Sequence, residues 1–260
     1  MGIALPSLAM LLAEHKHRPF SGTVLQLGRQ DIYFDYEMMA RCAEQMEVPL
    51  RKVPITHRPN EWMPQVKTIS DQTFFQLLGF DVVQSTDASD YEKADFIHDF
   101  NQPVPETMHG RFDVVFDGGS LEHIFHLPNA FSNFHALLKV GGRVLHDSPT
   151  HNFVDHGFFC FSPTLFWDYY EANGFTDLRG HLVGMKLPFK HNDVPKVFRY
   201  TPGVLEPYAV GGFTKDKFQG CEMFVTTFSA TKQAESKGNV IPTQRRYQQW
   251  WAKAKTGEPK

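Results

Sequence analysis

Apolar residues recur along this chain in two rhythms. Short unbroken runs end in glycine or an acid, and longer segments place apolar residues three and four apart between caps and glycines. The first rhythm predicts buried strands and the second amphipathic helices. Residues 7–17 read as a helix stopped by Pro19, and Thr23-Val-Leu-Gln-Leu-Gly28 as a first buried strand. A helix is predicted over 33–46, then a loop over Val48 to Pro64, which carries four prolines. Ser70 to Gly79 is a punctuated helix: Ser70 caps it, Asp71 suits its N-terminal dipole and Gly79 stops it. Strands are predicted over Phe80–Gln84, Asp95–Asp99, Phe112–Phe116 and Arg143–His146. Before the last of these, a helix begins at Pro128, buries Phe131, Phe134, Leu137 and Leu138, and ends at Gly141-Gly142. Ser162-Pro163 opens another helix, closed by Asn173-Gly174. Phe175–Val183 is a further strand, and the alternation of Glu222–Ser229 suits an antiparallel strand near an edge.

Strands alternating with helices at this spacing predict an α/β chain: a Rossmann-like, doubly wound sheet of about seven strands, the last antiparallel, in a single domain over residues 1–260. Ligands of such sheets sit beyond the carboxyl ends of the strands, where the strand order reverses. That rule selects Gly28, Asp87, Asp99, Asp117 and His146–Ser148. Two connections are unusually long, 31–68 and 184–220, and both are candidate covers for a ligand. The tail over 244–260 is polar and basic and is expected to be solvated and frayed.

Composition narrows the classes. There are 24 phenylalanines, which suit a Phe-rich core or an apolar pocket wall. The net charge of −3 carries no basic excess of the kind nucleic acid selects. Three scattered cysteines show neither disulfide nor metal spacing, so a reducing, cytoplasmic setting is expected. The apolar stretch Ile3–Ala13 is too short to span a membrane, lacks a basic lead-in, and is expected to be a helix.

Several acids and histidines fall where chemistry would occur. Asp87, followed by Ala88, stands at a predicted strand end and offers two acceptor oxygens to a ribose, or else caps a turn. Asp99 and Phe100 offer an acceptor and a ring to an adenine, or else form a strand-end turn. Gly118 and Gly119 after Asp117 allow close backbone approach, to a ligand or to a tight turn. Among 13 histidines, His123, His126, His146, His151 and His156 cluster at or after strand ends. No HExxH or cysteine-based ligand pattern accompanies them, so no metal is expected. His123, Asp147, His151 and His156 are candidate general bases.

The stretch Phe116-Asp-Gly-Gly-Ser-Leu-Glu-His123, the helix ending Leu137-Leu-Lys-Val-Gly-Gly-Arg-Val144 and the later Phe161-Ser-Pro163 resemble the class I S-adenosylmethionine (SAM) dependent methyltransferase family over roughly residues 21–183. The resemblance implies a seven-stranded sheet with a reversed last strand. It implies Asp87 at the SAM ribose and Asp99 near the adenine, and places 117–123, Glu122 included, near the methionine half or the substrate. The family's first motif has three alternating glycines, whereas Leu25-Gln-Leu-Gly-Arg-Gln-Asp31 has one. Arg29 is therefore expected to pair with the SAM carboxylate.

The sequence thus leads to a SAM-dependent methyltransferase acting on O, N or C of a small molecule, with no nucleic acid or membrane partner and no expectation about oligomeric state. Two rivals stand beside it: a SAM-using enzyme that cyclises or cleaves SAM to methylthioadenosine, and a binding protein with a decayed site. A nucleotide-sugar or NAD enzyme is disfavoured by the absence of Gly-x-Gly-x-x-Gly.

Overall fold

The computed structural model describes residues 2–186, 195–207 and 221–256. In chain order the strands are β1 (Gly2–Ile3), β2 (Thr23–Leu27), β3 (Asp31–Ile32), β4 (Val82–Asp87), β5 (Phe96–Ile97), β6 (Phe112–Gly118), β7 (Leu138–His151), β8 (Thr176–Met185), β9 (Lys196–Thr201), β10 (Val204–Pro207) and β11 (Met223–Thr231). The helices are α1 (Leu5–His17), α2 (Tyr36–Gln45), α3 (Asp71–Leu77), α4 (Leu127–Leu137), α5 (Pro163–Ala172) and α6 (Arg245–Thr256).

Nine strands form one sheet in the order β10-β9-β8-β11-β7-β6-β2-β4-β5. β5, β4, β2, β6 and β7 are parallel neighbours. β11 runs antiparallel between β7 and β8, and β9 and β10 extend the β8 side as antiparallel strands. This is a Rossmann-like doubly wound sheet with a reversed strand, as expected, enlarged by the β9–β10 pair. β11 is interior rather than near an edge. β1 and β3 form a separate parallel pair.

The continuous apolar runs of the central strands follow from burial on both faces. Val24, Val114, Phe116 and Leu145 point into one core with Leu8 and Leu11 of α1, Met39 of α2 and Phe74 and Phe75 of α3. Their neighbours Leu25, Val115 and Val144 point into the other, with Phe131 and Phe134 of α4, Phe166 and Tyr170 of α5, and Phe228. Each such side chain contributes roughly 1.5–3 kcal/mol relative to exposure, so the two cores together fix where the strands end.

Helix boundaries follow local chemistry. Ser70 accepts a hydrogen bond from Thr73 N at 3.1 Å and Gly79 leaves α3 with a φ of +107°. Pro6 lies in the first turn of α1, where its missing N–H costs nothing, so it starts the helix rather than breaking it. Gly141-Gly142 does not end α4: Leu138 is already extended, and the pair lies within β7, with Gly141 at a φ of +82°. The long connection 31–68 contains α2 within the helix expected over 33–46, and packs Met39, Ala43 and Val48 into the first core. The expected frayed tail is helical as α6, with no buried residue. Much of the connection 184–220 lies outside the described residues.

Candidate functional site

The parallel strands β2, β4, β5 and β6 deliver their carboxyl ends to one cleft of about 410 Å³. The order β4-β2-β6 places it where successive connections diverge to opposite sides of β2, the position at which doubly wound sheets bind ligands. Gly28 leaves β2 with a φ of +68°, a conformation that favours glycine, and its N–H donates to Thr86 O at 2.7 Å. The chain exit of β2 is thereby tied to β4, and both line the cleft with Leu27, Gly28, Thr86, Asp87 and Ala88.

Asp87 ends β4, and its Oδ1 accepts from Ser89 N at 3.0 Å. Asp99, Phe100 and His98 lie across from it on the loop leaving β5. Asp99 accepts from Asn101 N at 2.9 Å and from Asn101 Nδ2 at 2.8 Å, and these bonds hold its carboxyl below the usual range. Phe100 is buried against Phe134 while bordering the cleft. Thr86 Oγ1 is a buried hydroxyl at the cleft with no hydrogen-bond partner. The cleft thus combines two acids, an orphaned hydroxyl and an apolar wall.

The segment replacing the expected glycine loop is locked from within. Asp71, fully buried, takes Gln26 Nε2 at 2.7 Å, Arg29 Nε at 2.5 Å and Arg29 Nη2 at 2.7 Å. Gln30 donates from its N to Gln26 Oε1 at 3.2 Å and from its Nε2 to Leu27 O at 2.8 Å. Arg29 therefore does not line the cleft: its fork is closed on Asp71, and this bidentate bond raises its pKa further. Side-chain bonds thus hold the turn that leaves β2.

Asp117 also turns inward. Its Oδ1 accepts from Ser120 N at 2.9 Å and Leu121 N at 3.1 Å, capping the 3₁₀ turn Leu121–His123. Its Oδ2 is 2.7 Å from His146 Nδ1, and His146 Nε2 is 2.7 Å from the Tyr170 hydroxyl. The Asp117 carboxylate can only accept, so Nδ1–H of His146 donates to it; Nε2 is then left to accept from the Tyr170 hydroxyl, whose pKa burial holds well above its ordinary value. Phe134 and Phe166 flank the imidazole at 4.8 and 4.7 Å. Gly118 serves packing: a Cβ there would stand 2.6 Å from Gln30 Oε1 and from the Phe116 ring. Asp117, Gly118 and Gly119 thus lie behind the cleft wall rather than on it.

Glu122 is buried one turn beyond, with its side chain 1% exposed. Its Oε1 lies 3.5 Å from His156 Nε2 and 4.0 Å from His123 Nε2, and its Oε2 has no partner. Burial, reinforced by Asp117, pushes its carboxyl up to about 8. His123 and His156 are half exposed, their rings 5.2 Å apart, and His123 lines the cleft. Burial and the neighbouring His156 hold the His123 pKa below its ordinary value. The loop after β7 carries His156 here: Phe158 N donates to Glu122 O at 2.9 Å, and at Gly157 a Cβ would stand 3.0 Å from Glu122 Cγ.

The other two candidate bases are elsewhere. Asp147 is partly buried and accepts a short hydrogen bond from Ser7, and desolvation raises its carboxyl to about 6. His151 closes β7 opposite Phe224, away from the cleft. Sequence reasoning missed Thr86, His98, Ser120 and Ile124 as lining residues, and it missed the His146–Tyr170 bond. The signal for Thr86 was its place beside Asp87 at a strand end. Nothing local marks Tyr170, whose spacing reads as core.

No known family's sequence profile matches this chain, and no curated protein matches it. Among solved structures the chain is similar to a SAM-dependent methyltransferase of Thermotoga maritima described as a possible histamine N-methyltransferase (15% identity, 86% of this chain and 89% of that chain, TM-score 0.41). It is also similar to a SAM-dependent methyltransferase from Archaeoglobus fulgidus (11% identity, 87% of this chain and 95% of that chain, TM-score 0.42). A third is phosphoethanolamine N-methyltransferase 2 of Haemonchus contortus, in complex with S-adenosylhomocysteine (13% identity, 88% of this chain, TM-score 0.43). This chain spans about half (53%) of the length of that third protein.

Proposed function

We propose that the cleft binds SAM and that the chain is a methyltransferase acting on a small molecule. The observation that carries the reading is the convergence of Gly28, Asp87 and Asp99 at the switch point of a sheet with a reversed strand beyond β7. The residues fit a nucleoside. Asp87 would accept the ribose hydroxyls, Asp99 the adenine amine, and Phe100 would border the ring. The Thr86 hydroxyl, lacking a protein partner, would find one on the ligand. SAM, when bound, supplies an electrophilic methyl group on a sulfonium.

The chain's own residues would position an acceptor against it. Phe125 and Phe158 are exposed large aromatics, packed edge to face at 5.5 Å, on the connections that flank Glu122. They offer an apolar seat for an acceptor beside the cleft. His123, whose lowered pKa favours the unprotonated ring, is the residue on the cleft wall suited to take a proton.

Calorimetry with SAM and S-adenosylhomocysteine tests the reading. Asp87→Ala is expected to weaken both by at least about tenfold, the loss of one charge-assisted hydrogen bond to a buried ligand. Unchanged affinity would remove Asp87 from the site, and no SAM binding by the intact chain would favour a decayed binding protein. The closed Arg29–Asp71 fork favours a second reading, because the amino-acid end of SAM must then be held in some other way. Methylthioadenosine released from SAM alone would establish cyclisation or cleavage; S-adenosylhomocysteine formed with an acceptor would establish methyl transfer.

A further inference from the structure

Glu122, His123 and His156 are assembled from two separate connections into a set that suits a metal ion. Their ligating atoms all lie within 4.8 Å of one another, and among the described residues no other group of three histidine, cysteine or acid side chains does so. Ligands about 2.1 Å from a tetrahedral ion stand about 3.4 Å apart. The 3.5 and 4.0 Å separations of Glu122 Oε1 from the two Nε2 atoms are within an ångström of that.

The alternative is a plain ion-paired cluster, and the distances argue against it. Charge-assisted N–H···O bonds run about 2.7–2.9 Å, so neither imidazole satisfies the carboxyl in this arrangement. Glu122 Oε2 also has no partner although the side chain is only 1% exposed. A buried carboxyl oxygen with no donor is costly and calls for a further partner. The site is built rather than incidental: Phe158 N is bonded to Glu122 O, and the close approach at Gly157 brings the His156 loop down on the turn.

We propose that Glu122, His123 and His156 bind one divalent first-row transition-metal ion at the edge of the cleft. Two imidazoles and one carboxylate favour Zn²⁺, Co²⁺, Mn²⁺ or Fe²⁺ over Mg²⁺ or Ca²⁺. Three protein ligands would leave coordination positions open, and His123 is the ligand that lines the cleft. Cation binding stands independently of the cofactor reading. Only its use rests on that reading: an acceptor bearing an oxygen donor would be oriented by the ion and would lose its proton more readily, a role that replaces His123 as base.

The test uses the full chain stripped with chelator, without SAM. Zn²⁺ is titrated by calorimetry, and Co²⁺ by its visible absorption. The expected result is one equivalent bound, with His123→Gln and His156→Gln each weakening affinity at least about tenfold. Both side chains are half exposed, so circular dichroism should show these variants folded; Glu122→Gln is the third variant. His17→Gln, beside Asp177 at the start of β8, should bind as the unaltered chain does. Absence of a stoichiometric site, or equal affinity in His123→Gln and His156→Gln, overturns the proposal. A chain that binds Zn²⁺ but not SAM would retain the metal site and lose the cofactor reading.

Discussion

Two acid–imidazole groups stand at the end of β6 and on the connection that follows it, and they differ in what surrounds them. Asp117, fully buried, has both oxygens occupied: one by the amides of Ser120 and Leu121, the other by His146, itself bonded to Tyr170. Glu122, five residues on and as deeply buried, has one oxygen without a partner and two imidazoles beyond hydrogen-bond reach. Burial alone does not separate them. Satisfaction of polar atoms does: the first group is closed and braces the turn, whereas the second retains capacity to bind something.

Four substitutions sharpen this contrast, from the largest expected effect to the smallest. Asp117→Asn keeps the shape but sets an amide donor against existing donors. It is expected to lower stability by about 3–5 kcal/mol, the range for breaking a buried pair, read as a shift in the urea midpoint. Tyr170→Phe leaves His146 Nε2 without its donor and should lower stability by about 1–3 kcal/mol in the same measurement, with Phe175 and Phe228 still packed on the ring. Glu122→Gln, the equivalent change in the open group, removes no formed hydrogen bond from Oε2 and is expected to stay within about 1 kcal/mol of the parent. A loss as large as that of Asp117→Asn would erase the distinction between the groups. His156→Gln, at a half-exposed position, should change stability by no more than about 0.5 kcal/mol, so any fall in cation affinity in that variant reports on binding.

The sheet was legible because its strands carry their own evidence. Val24-Leu25 and Val114-Val115-Phe116 are apolar on consecutive positions, which only burial on both faces explains. Ser70 and Ser162 marked helix starts because capping is local chemistry. Gly141-Gly142 misled because a glycine pair reads as a helix stop and also fits inside a strand: Leu138 had left the helix already, and β7 runs through the pair with a positive φ. The alternating pattern of β11 predicted its antiparallel direction but not its insertion between β7 and β8, since pairing partners are not written in one strand.

The site divides in the same way. Asp87, Asp99 and Gly28 could be picked out from strand ends, and the cleft gathers all three. Arg29 was assigned to a ligand because an arginine in place of a glycine loop suggests an anion, yet Asp71, 42 residues later, closes its fork. Asp147 reads as a base from its position after a strand, yet Ser7, far away at the start of α1, donates a hydrogen bond to its carboxyl.

By itself, the sequence determined the alternation of strands and helices, the two-sided burial of the central sheet, and which acids stand at strand ends. Those depend on hydropathy period and capping, both properties of neighbouring residues. Only the tertiary structure decided which acids face the cleft, that Asp117 is closed by His146 and Tyr170, and that His156 comes down beside Glu122 across 33 intervening positions. The physical reason is that a polar atom's role depends on whether its partners are present, and those partners arrive from distant segments brought together by packing.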